Sequence, residues 1–220
     1  REQITLREIP YRVPSKADPV RAKFGLCRLD DRPPNPCQSV VAPLAFFPPD
    51  HERSLIETLT RDPFIVLSAS AGQRSRNIPA SLLQSIMGIL AAHGIRVVAV
   101  GRNYLRKNRL EQPIPGFPNL INMVDKLSVP AVAQLVQRCL GTINCHSAIS
   151  MLGWLENKPQ LLLLGGKAWS RHFKKKDLWA FGADFKTTTC VRSTQFHPRH
   201  LERFLELACE KNDHFAPCHS

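Results

Sequence analysis

Short apolar runs alternate with amphipathic helical patterns from residue 62 onward, and this alternation restricts the fold more than any other feature of the sequence. The apolar runs have the length of buried strands, at residues 64–67, 95–100, 119–122, 141–144 and 160–164, with a further extended piece at 185–191. Helical periodicity lies between and after them, at residues 79–93, 128–139, 147–156 and 200–211. Strands that alternate with helices form a parallel sheet with helices on both faces. Because crossovers are right-handed, the sequence predicts a Rossmann-like, doubly wound α/β fold.

Residues 1–60 differ from the rest of the chain in their proline content. Nine of the 18 prolines fall here, and proline breaks helices and strands because it lacks a backbone donor and has a fixed φ. We expect a Pro-rich linker or the remnant of a preceding domain, interrupted by a short extended piece at residues 4–13 and a helix at 51–60. The start at Arg1, without a methionine, fits a remnant. Residues 61–220 are expected to form the α/β domain, which ends in a C-terminal helix.

Charge and cysteine content restrict the partners and the compartment. The net charge is +12, and most of the excess lies after residue 60, which indicates an anionic ligand or surface such as a nucleotide, a nucleic acid or a phosphorylated glycan. A solubilising surface explains part of the same excess. No apolar run has the ~20 residues of a membrane span, so we expect no transmembrane segment. The seven cysteines contain no Cys-x-x-Cys pair, which predicts reduced thiols in a cytoplasmic protein.

Two loops join a predicted strand to a predicted helix, so both should lie at the carboxyl edge of the sheet, where such folds bind ligands. The first loop, residues 68–77, combines small side chains with two arginines, and it has neither the Gly-x-Gly-x-x-Gly nor the P-loop pattern. Phosphate binding and an ordinary basic turn explain this loop about equally well. The second loop, residues 144–150, contains His146 and Ser147, and the serine is predicted to cap the following helix. Two such loops in adjacent units favour an anion site.

A set of short motifs within residues 62–211 follows one pattern. The first predicted strand is followed by hydroxyl, basic and proline residues. A Lys-hydrophobic-Ser motif follows the third strand, and a signature segment follows the fourth. In this sequence the motifs are Ser70, Arg76 and Ile78-Pro79, then Lys126-Leu127-Ser128, then residues 146–152, with Lys158-Pro159 before the fifth strand. The stretch therefore resembles the carboxyl-terminal half of the lipopolysaccharide heptosyltransferase family, glycosyltransferase family 9. The signature departs from the family pattern where His146 stands for Asp, Ala148 for Gly and Met151 for His.

The resemblance implies a GT-B fold, of which this chain supplies the second, donor-binding domain. It implies transfer of a sugar from a nucleotide-diphosphate donor to a glycan or another hydroxyl acceptor. The nucleotide sugar is a substrate, and the resemblance implies no metal and no cofactor. The donor-binding residues that it implies are Ser70, Arg74, Arg76, Lys126, Leu127, His146, Ser147 and Ala148. The acceptor site and general base of the family lie in an amino-terminal domain. The resemblance therefore also implies a missing domain or a partner subunit.

His146 is the candidate catalytic residue, because it is the titratable group at the mouth of the second loop. The ordinary histidine pKa of about 6.5 suits proton transfer. A hydrogen bond to a phosphate or hydroxyl group is nevertheless the role that we favour for it.

Two other functions compete with the glycosyltransferase interpretation. A non-enzymatic Rossmann-like module that binds nucleotide or nucleic acid explains the basic charge and the altered signature. An enzyme of different chemistry could use a phosphate ligand on the same sheet. The basic run at residues 171–176 is interpreted as a solvated loop, and the histidines and cysteines after residue 196 match no zinc-finger spacing. Steep salt dependence of DNA binding, without affinity for nucleotide sugars, would favour the nucleic-acid module.

Overall fold

The computed structural model describes residues 47–71, 76–102, 114, 116–145, 147–165 and 188–212. Strands and helices alternate along these residues, as the sequence predicted. In chain order the elements are α1 (Asp50–Leu59), β1 (Ile65–Ser68), α2 (Ala80–Ala92), β2 (Val97–Ala99), β3 (Leu120–Asn122), α3 (Val129–Arg138), β4 (Gly141–Asn144), α4 (Ala148–Leu155), β5 (Gln160–Leu164), β6 (Thr188–Arg192), a 3-10 turn (Ser193–Gln195) and α5 (Pro198–Glu210). The extended piece expected at residues 4–13, the Pro-rich segment up to residue 46 and the basic run at 171–176 lie outside the described residues.

The six strands form one sheet in the order β3-β2-β1-β4-β5-β6, and each neighbouring pair runs parallel. This is the strand order of the doubly wound Rossmann fold. In the register of the central strand, Ile65 lies opposite Val97 of β2 on one side and Gly141 of β4 on the other. The predicted Rossmann-like fold class is therefore confirmed.

Alternating side chains of the central strand contribute to two separate apolar cores. Ile65 and Leu67 belong to the first core, with residues of α2 and α5, and Val66 belongs to the second core, with residues of α1, α3 and α4. All four residues of β1 are buried, as expected for a central parallel strand that is covered on both faces. Within the described part of the chain, no helix combines the length and the apolar character needed to cross a bilayer.

Helix α1 lies in the stretch that the sequence assigned to a linker, and it packs on the sheet. Ile56 and Leu59 are only 1% and 2% exposed, and both belong to the second core. The compact unit that contains the sheet spans Ala45–Ser220. The predicted boundary at residue 60 stays a prediction, because most of the stretch before it lies outside the described residues.

Helices α1 and α3 run parallel, side by side, on the second face of the sheet. At their starts, the backbone amide of Ser128 donates a hydrogen bond of 2.7 Å to the Glu52 carboxylate. At their ends, the Arg138 guanidinium donates to the Thr60 hydroxyl at 3.3 Å. Because both helices begin at the carboxyl edge of the sheet, the chain enters this unit at the edge where Rossmann-like folds bind ligands.

The cysteines of the described residues are in two states. Cys139, Cys145 and Cys190 have free thiols, in agreement with the prediction of reduced thiols. Cys209 is disulfide-bonded, so the prediction is wrong for this residue. Sequence spacing could not reveal the bond, because the residues that meet in a disulfide are chosen by the fold and not by their separation along the chain.

Gly141 allows helix α5 to approach strand β4 closely. A Cβ atom at this position would lie 2.9 Å from the Phe204 ring and 2.9 Å from the Pro159 carbonyl oxygen. Phe204 is fully buried, and the carbonyl belongs to the backbone, so neither can retreat easily. We expect Gly141→Ala to lower the free energy of unfolding by about 1–3 kcal/mol, the usual cost of overpacking, as measured by urea denaturation.

Gly88→Ala is the matched control for this substitution. A Cβ atom at Gly88, within α2, would meet nothing within 4 Å. The control should therefore raise the free energy of unfolding by about 0.5–1 kcal/mol, because alanine is the better helix former. Equal stabilities for the two variants would contradict the close packing of α5 on β4.

Candidate functional site

The order of the strands reverses between β1 and β4, at the centre of the sheet. Strands β2 and β3 lie on one side of β1, and strands β4, β5 and β6 lie on the other. The carboxyl ends of β1 and β4 are direct neighbours, with Ser68 opposite Asn144 and the Cys145 amide donating to the Ser68 carbonyl at 3.2 Å. Because the two connections leave in opposite directions, such a switch point opens a crevice for a ligand.

The loop after β1 is closed by hydrogen bonds at its base. The Asn77 side chain accepts a hydrogen bond of 3.0 Å from the Ala71 amide, and the Ile78 amide donates to the Ala69 carbonyl, also at 3.0 Å. These bonds hold Ser70 at the end of β1, where its side chain is 8% exposed. The loop therefore has a defined base, although its tip, residues 72–75, lies outside the described residues.

Gly101 brings the end of β2 against this loop. Its φ of +134° lies in a region that favours glycine. A Cβ atom here would lie 3.4 Å from the Ser70 hydroxyl and 3.9 Å from the Ser68 hydroxyl. The absence of a side chain at residue 101 thus keeps space beside two hydroxyl groups at the switch point. From the sequence, Gly101 was placed at the end of a buried strand, at the carboxyl edge, but no role was assigned to it.

Ser147 begins α4, but its side chain does not cap the helix. The hydroxyl makes no hydrogen bond to a first-turn amide, and it is buried without a strong partner. The nearby Ser150 hydroxyl instead donates to the Ser147 carbonyl at 2.6 Å. The predicted side-chain cap is therefore wrong. The Ser147 hydroxyl instead interacts with the Cys145 thiol, which is a weak hydrogen-bonding group.

Groups from the loops after β1 and β4 both influence the Cys145 thiol. Burial raises the pKa of the Cys145 thiol to about 12, and the backbone amide, the positive charge of Arg76 and the Ser147 hydroxyl each oppose that rise. Arg76 is thus close enough to the end of β4 for its charge to act there. A thiol with so high a pKa is protonated at neutral pH, which excludes Cys145 as a nucleophile.

The three residues of the motif after β3, Lys126-Leu127-Ser128, lie in three different environments: solvent, the second core and the cap of α3. The Lys126 ammonium is exposed and donates to the Asn122 carbonyl at 3.0 Å. Leu127 is 5% exposed and its side chain belongs to the second core, which leaves its backbone as the part that can meet a ligand. Ser128 caps α3, because its hydroxyl accepts from the Ala131 amide at 3.3 Å.

Glu52 of α1 binds Ser128, the capping residue of α3. This residue was not identified from the sequence. One carboxylate oxygen accepts from the Ser128 amide at 2.7 Å, and the other accepts from the Ser128 hydroxyl. Glu52 is 6% exposed, which is unusual for a glutamate unless it is paired. No local pattern announces this contact, because its two residues lie 76 positions apart.

A buried polar network lies beneath α4 and was also missed. The side-chain Nδ2 of Asn144 donates to the Thr142 hydroxyl at 2.8 Å and to Oε1 of Gln160 at 3.3 Å. Oδ1 of Asn144 has no hydrogen-bond partner among the described residues, although Asn144 is fully buried. Gly153 permits α4 to lie on this network, since a Cβ there would be 3.0 Å from Gln160. The network therefore links the end of β4 to β5 beneath the last turn of α4.

The structure brings several of the expected donor-binding residues to one edge of the sheet. Ser70, Arg76 and Ser147 flank the switch point, Ala148 is the exposed first residue of α4, and Lys126 lies beyond the outer strand β3. Arg74 and His146 lie outside the described residues, so their roles stay predictions. The common edge follows from the parallel strands, whose carboxyl ends all point the same way.

The described residues contain no cluster of three or more histidine, cysteine or acidic side chains that could hold a metal ion. His197 and His200 instead form a capping box at the start of α5. The His197 amide donates to Nδ1 of His200 at 2.9 Å, and the Arg199 amide donates to Nδ1 of His197 at 3.3 Å. These imidazoles therefore have a structural role at the helix start.

The different surroundings of Ser147 and Ser128 predict different effects of removing each hydroxyl group. Ser147→Ala should leave the free energy of unfolding within about 0.5 kcal/mol of the wild type or raise it, because it removes a buried hydroxyl without a strong partner. Ser128→Ala should lower it by about 1–3 kcal/mol, because a helix cap and a hydrogen bond to a carboxylate are lost together. Chemical denaturation measures both. A loss for Ser147→Ala equal to that of Ser128→Ala would mean that Ser147 caps α4.

Comparison with known proteins supports the fold. No protein-family model matches the chain, and no curated protein sequence matches it. Among solved structures, an ADP-heptose lps heptosyltransferase II from E. coli is 11% identical, with a TM-score of 0.52 over 74% of this chain and 53% of that one. A glycosyl transferase family 9 protein from Veillonella parvula is 13% identical, with a TM-score of 0.50 over 73% of this chain and 50% of that one. The chain spans about half the length of these proteins. The predicted resemblance to the heptosyltransferase family is confirmed at the level of the fold.

Proposed function

We propose that this chain is the donor-binding half of a GT-B glycosyltransferase and that it binds a nucleotide-diphosphate sugar in the crevice between β1 and β4. The observation that supports this most directly is the switch point, with the Ser70 and Ser147 hydroxyls and the Arg76 charge around it. The fold likeness to an ADP-heptose transferase and to a glycosyl transferase family 9 protein supports the same assignment.

The starts of α3 and α4, both at the carboxyl edge, differ in a way that favours α4 as the diphosphate site. At α3, the Ser128 hydroxyl and the Glu52 carboxylate already occupy the helix start. At α4, the Ser147 side chain does not cap the first-turn amides, and its hydroxyl has no hydrogen-bond partner within the described part of the chain. An anion at an uncapped helix start accepts hydrogen bonds from the amides and interacts favourably with the helix dipole. The diphosphate therefore belongs at α4 rather than at α3.

The proposed chemistry requires the protein to stabilise a leaving diphosphate. When the bond between the sugar carbon and the diphosphate oxygen breaks, the nucleotide diphosphate departs with its negative charge. The α4 amides and the Arg76 guanidinium would stabilise that charge, and Lys126 would contribute from the loop after the outer strand β3. His146 would hydrogen-bond a phosphate or hydroxyl group. The nucleotide sugar is consumed as a substrate, and the proposal assigns no metal or other cofactor to the chain.

The acceptor and its general base are proposed to come from a second domain or a partner subunit. The chain spans about half of the similar glycosyltransferase structures, and the residues proposed for the crevice are assigned to the donor. The proposed acceptor is a glycan or another molecule with a free hydroxyl group. The base would remove the proton of that hydroxyl as its oxygen attacks the sugar carbon.

A non-enzymatic nucleic-acid module is the second candidate, and the net charge of +12 favours it. Filter binding to DNA across a salt series separates the two candidates. The donor-binding proposal predicts weak DNA binding at 0.15 M salt, together with measurable affinity for a nucleotide. Tight DNA binding with a steep salt dependence, and no affinity for any nucleotide sugar, would favour the second candidate.

Calorimetric titration with ADP, UDP, GDP and their sugar derivatives tests the proposed function. We expect binding to one of the three bases with a 1:1 stoichiometry, because the sheet has one switch point. The same titrations with adenosine, uridine and guanosine are the control, since a nucleoside lacks the diphosphate that α4 and Arg76 are proposed to hold. A folded chain that binds none of the diphosphates would refute the proposal.

Arg76→Ala should weaken the affinity for the preferred nucleotide diphosphate by about 1.5–3 kcal/mol, the range for a hydrogen bond to a charged group. Arg96→Ala is the matched control, because Arg96 precedes β2 at the opposite edge of the sheet and pairs with Asp62 at 3.2 Å. The control removes the same charge and should leave the affinity unchanged. Equal weakening by both variants would mean that only the net charge matters and that Arg76 does not contact the ligand.

A further inference from the structure

The Glu52 carboxylate joins two helix starts that would otherwise repel each other. Glu52 lies in the first turn of α1 and contacts the capping residue of α3, Ser128. Parallel helices that begin side by side place the positive ends of two dipoles together. A buried carboxylate between them reduces that repulsion and accepts hydrogen bonds from Ser128 through both of its oxygens.

This contact also fixes the turn that carries Lys126 at the carboxyl edge. The turn begins at the end of β3 and ends at Ser128, two residues after the lysine. Its interior is anchored by the Leu127 side chain in the second core and by the Lys126 amide, which donates to the Met123 carbonyl at 3.1 Å. At its far end, the Glu52 carboxylate binds Ser128, and the Leu127 carbonyl accepts from the Arg102 guanidinium at 3.5 Å.

We propose that Glu52 is a positioning residue for ligand binding: through Ser128 it holds the Lys126 turn in the conformation that presents the lysine ammonium to an anionic ligand at the carboxyl edge. This inference rests on the proposed function, since it takes the ligand to be a nucleotide diphosphate. It gives α1 a role in the site, although α1 precedes the sheet and contributes no side chain to the crevice between β1 and β4.

A double-mutant cycle with ADP, UDP and GDP as probes tests the inference, with the tightest-binding diphosphate used throughout. Glu52→Gln keeps the size of the side chain and one acceptor oxygen, but it removes the carboxylate. We expect Glu52→Gln and Lys126→Ala each to weaken affinity by about fivefold, the upper range for an exposed ion pair. The double variant should be no more than twofold weaker than either single variant, because both substitutions remove the same interaction. Additive losses would overturn the inference.

Two control variants separate positioning from general effects of charge and stability. Asp50→Asn removes a carboxylate from the same turn of α1, where Asp50 is exposed and pairs only with Arg53 among the described residues, at 3.0 Å. Leu59→Ala weakens the packing of α1 at its other end, in the second core. Both controls should bind the probe within twofold of the wild type, at a temperature at which all variants are folded. A loss in either control that equals the loss in Glu52→Gln would overturn the positioning role.

Amide hydrogen exchange without ligand keeps the inference distinguishable from the proposed function. In Glu52→Gln the amides of Lys126 and Ser128 should exchange at least about tenfold faster than in Asp50→Asn, while the amides of β1 and β4 remain unchanged. Unchanged exchange at Lys126 and Ser128 would refute the positioning role, whether or not a nucleotide binds. Failure of the wild type to bind any probe, together with faster exchange in the variant, would refute the proposed function and leave the anchoring of the turn by Glu52 supported.

Discussion

At the centre of the sheet, β1 pairs in parallel with β2 on one side and with β4 on the other, and the rest of the structure depends on these two pairings. The β1–β4 pairing aligns Ser68 with Asn144, and the two loops that follow therefore start at the same height. It also requires two crossover connections of the same hand to leave in opposite directions, which separates the loops and opens the crevice. Successive apolar side chains of β1 pack alternately into the first and the second core, so the strand is packed on both faces. A substitution that shifted this strand would move both halves of the candidate site.

The starts of α3 and α4 show how tertiary contacts give similar sequences different roles. Both helices have a serine directly before their first residue, and each follows a strand of the parallel sheet. At α3 the Ser128 hydroxyl caps the helix and a buried carboxylate closes the helix start. At α4 the Ser147 hydroxyl does not cap the helix, and its interaction with the Cys145 thiol opposes the rise in the pKa of that thiol. A buried hydroxyl without a hydrogen bond costs about 1–3 kcal/mol. Unsatisfied buried polar groups in folded proteins often have a functional explanation.

Local signals in the sequence identified most of the edge residues. Ser70 and Arg76 follow a buried strand in a run of small residues, and this pattern alone suffices to place them beside the end of that strand. Lys126 was found through its motif, and the structure agrees that it is exposed after β3. No role was assigned from the sequence to Glu52, Gly101 or Asn144. Each of them matters through a neighbour that is distant along the chain, such as Ser128 for Glu52 and Ser70 for Gly101, and no local periodicity carries that information.

The sequence by itself determined the class of the fold and the edge at which a ligand would bind. Strand and helix periods are local properties of side-chain spacing, and a parallel α/β sheet with ligands at its carboxyl edge follows from their alternation. Only the tertiary structure decided that Ser147 leaves α4 uncapped, that Glu52 fills the start of α3 and that Cys209 is disulfide-bonded. Hydrogen bonds and disulfides join whichever groups the packing of the elements brings within reach, and that reach is set by contacts between residues far apart in sequence.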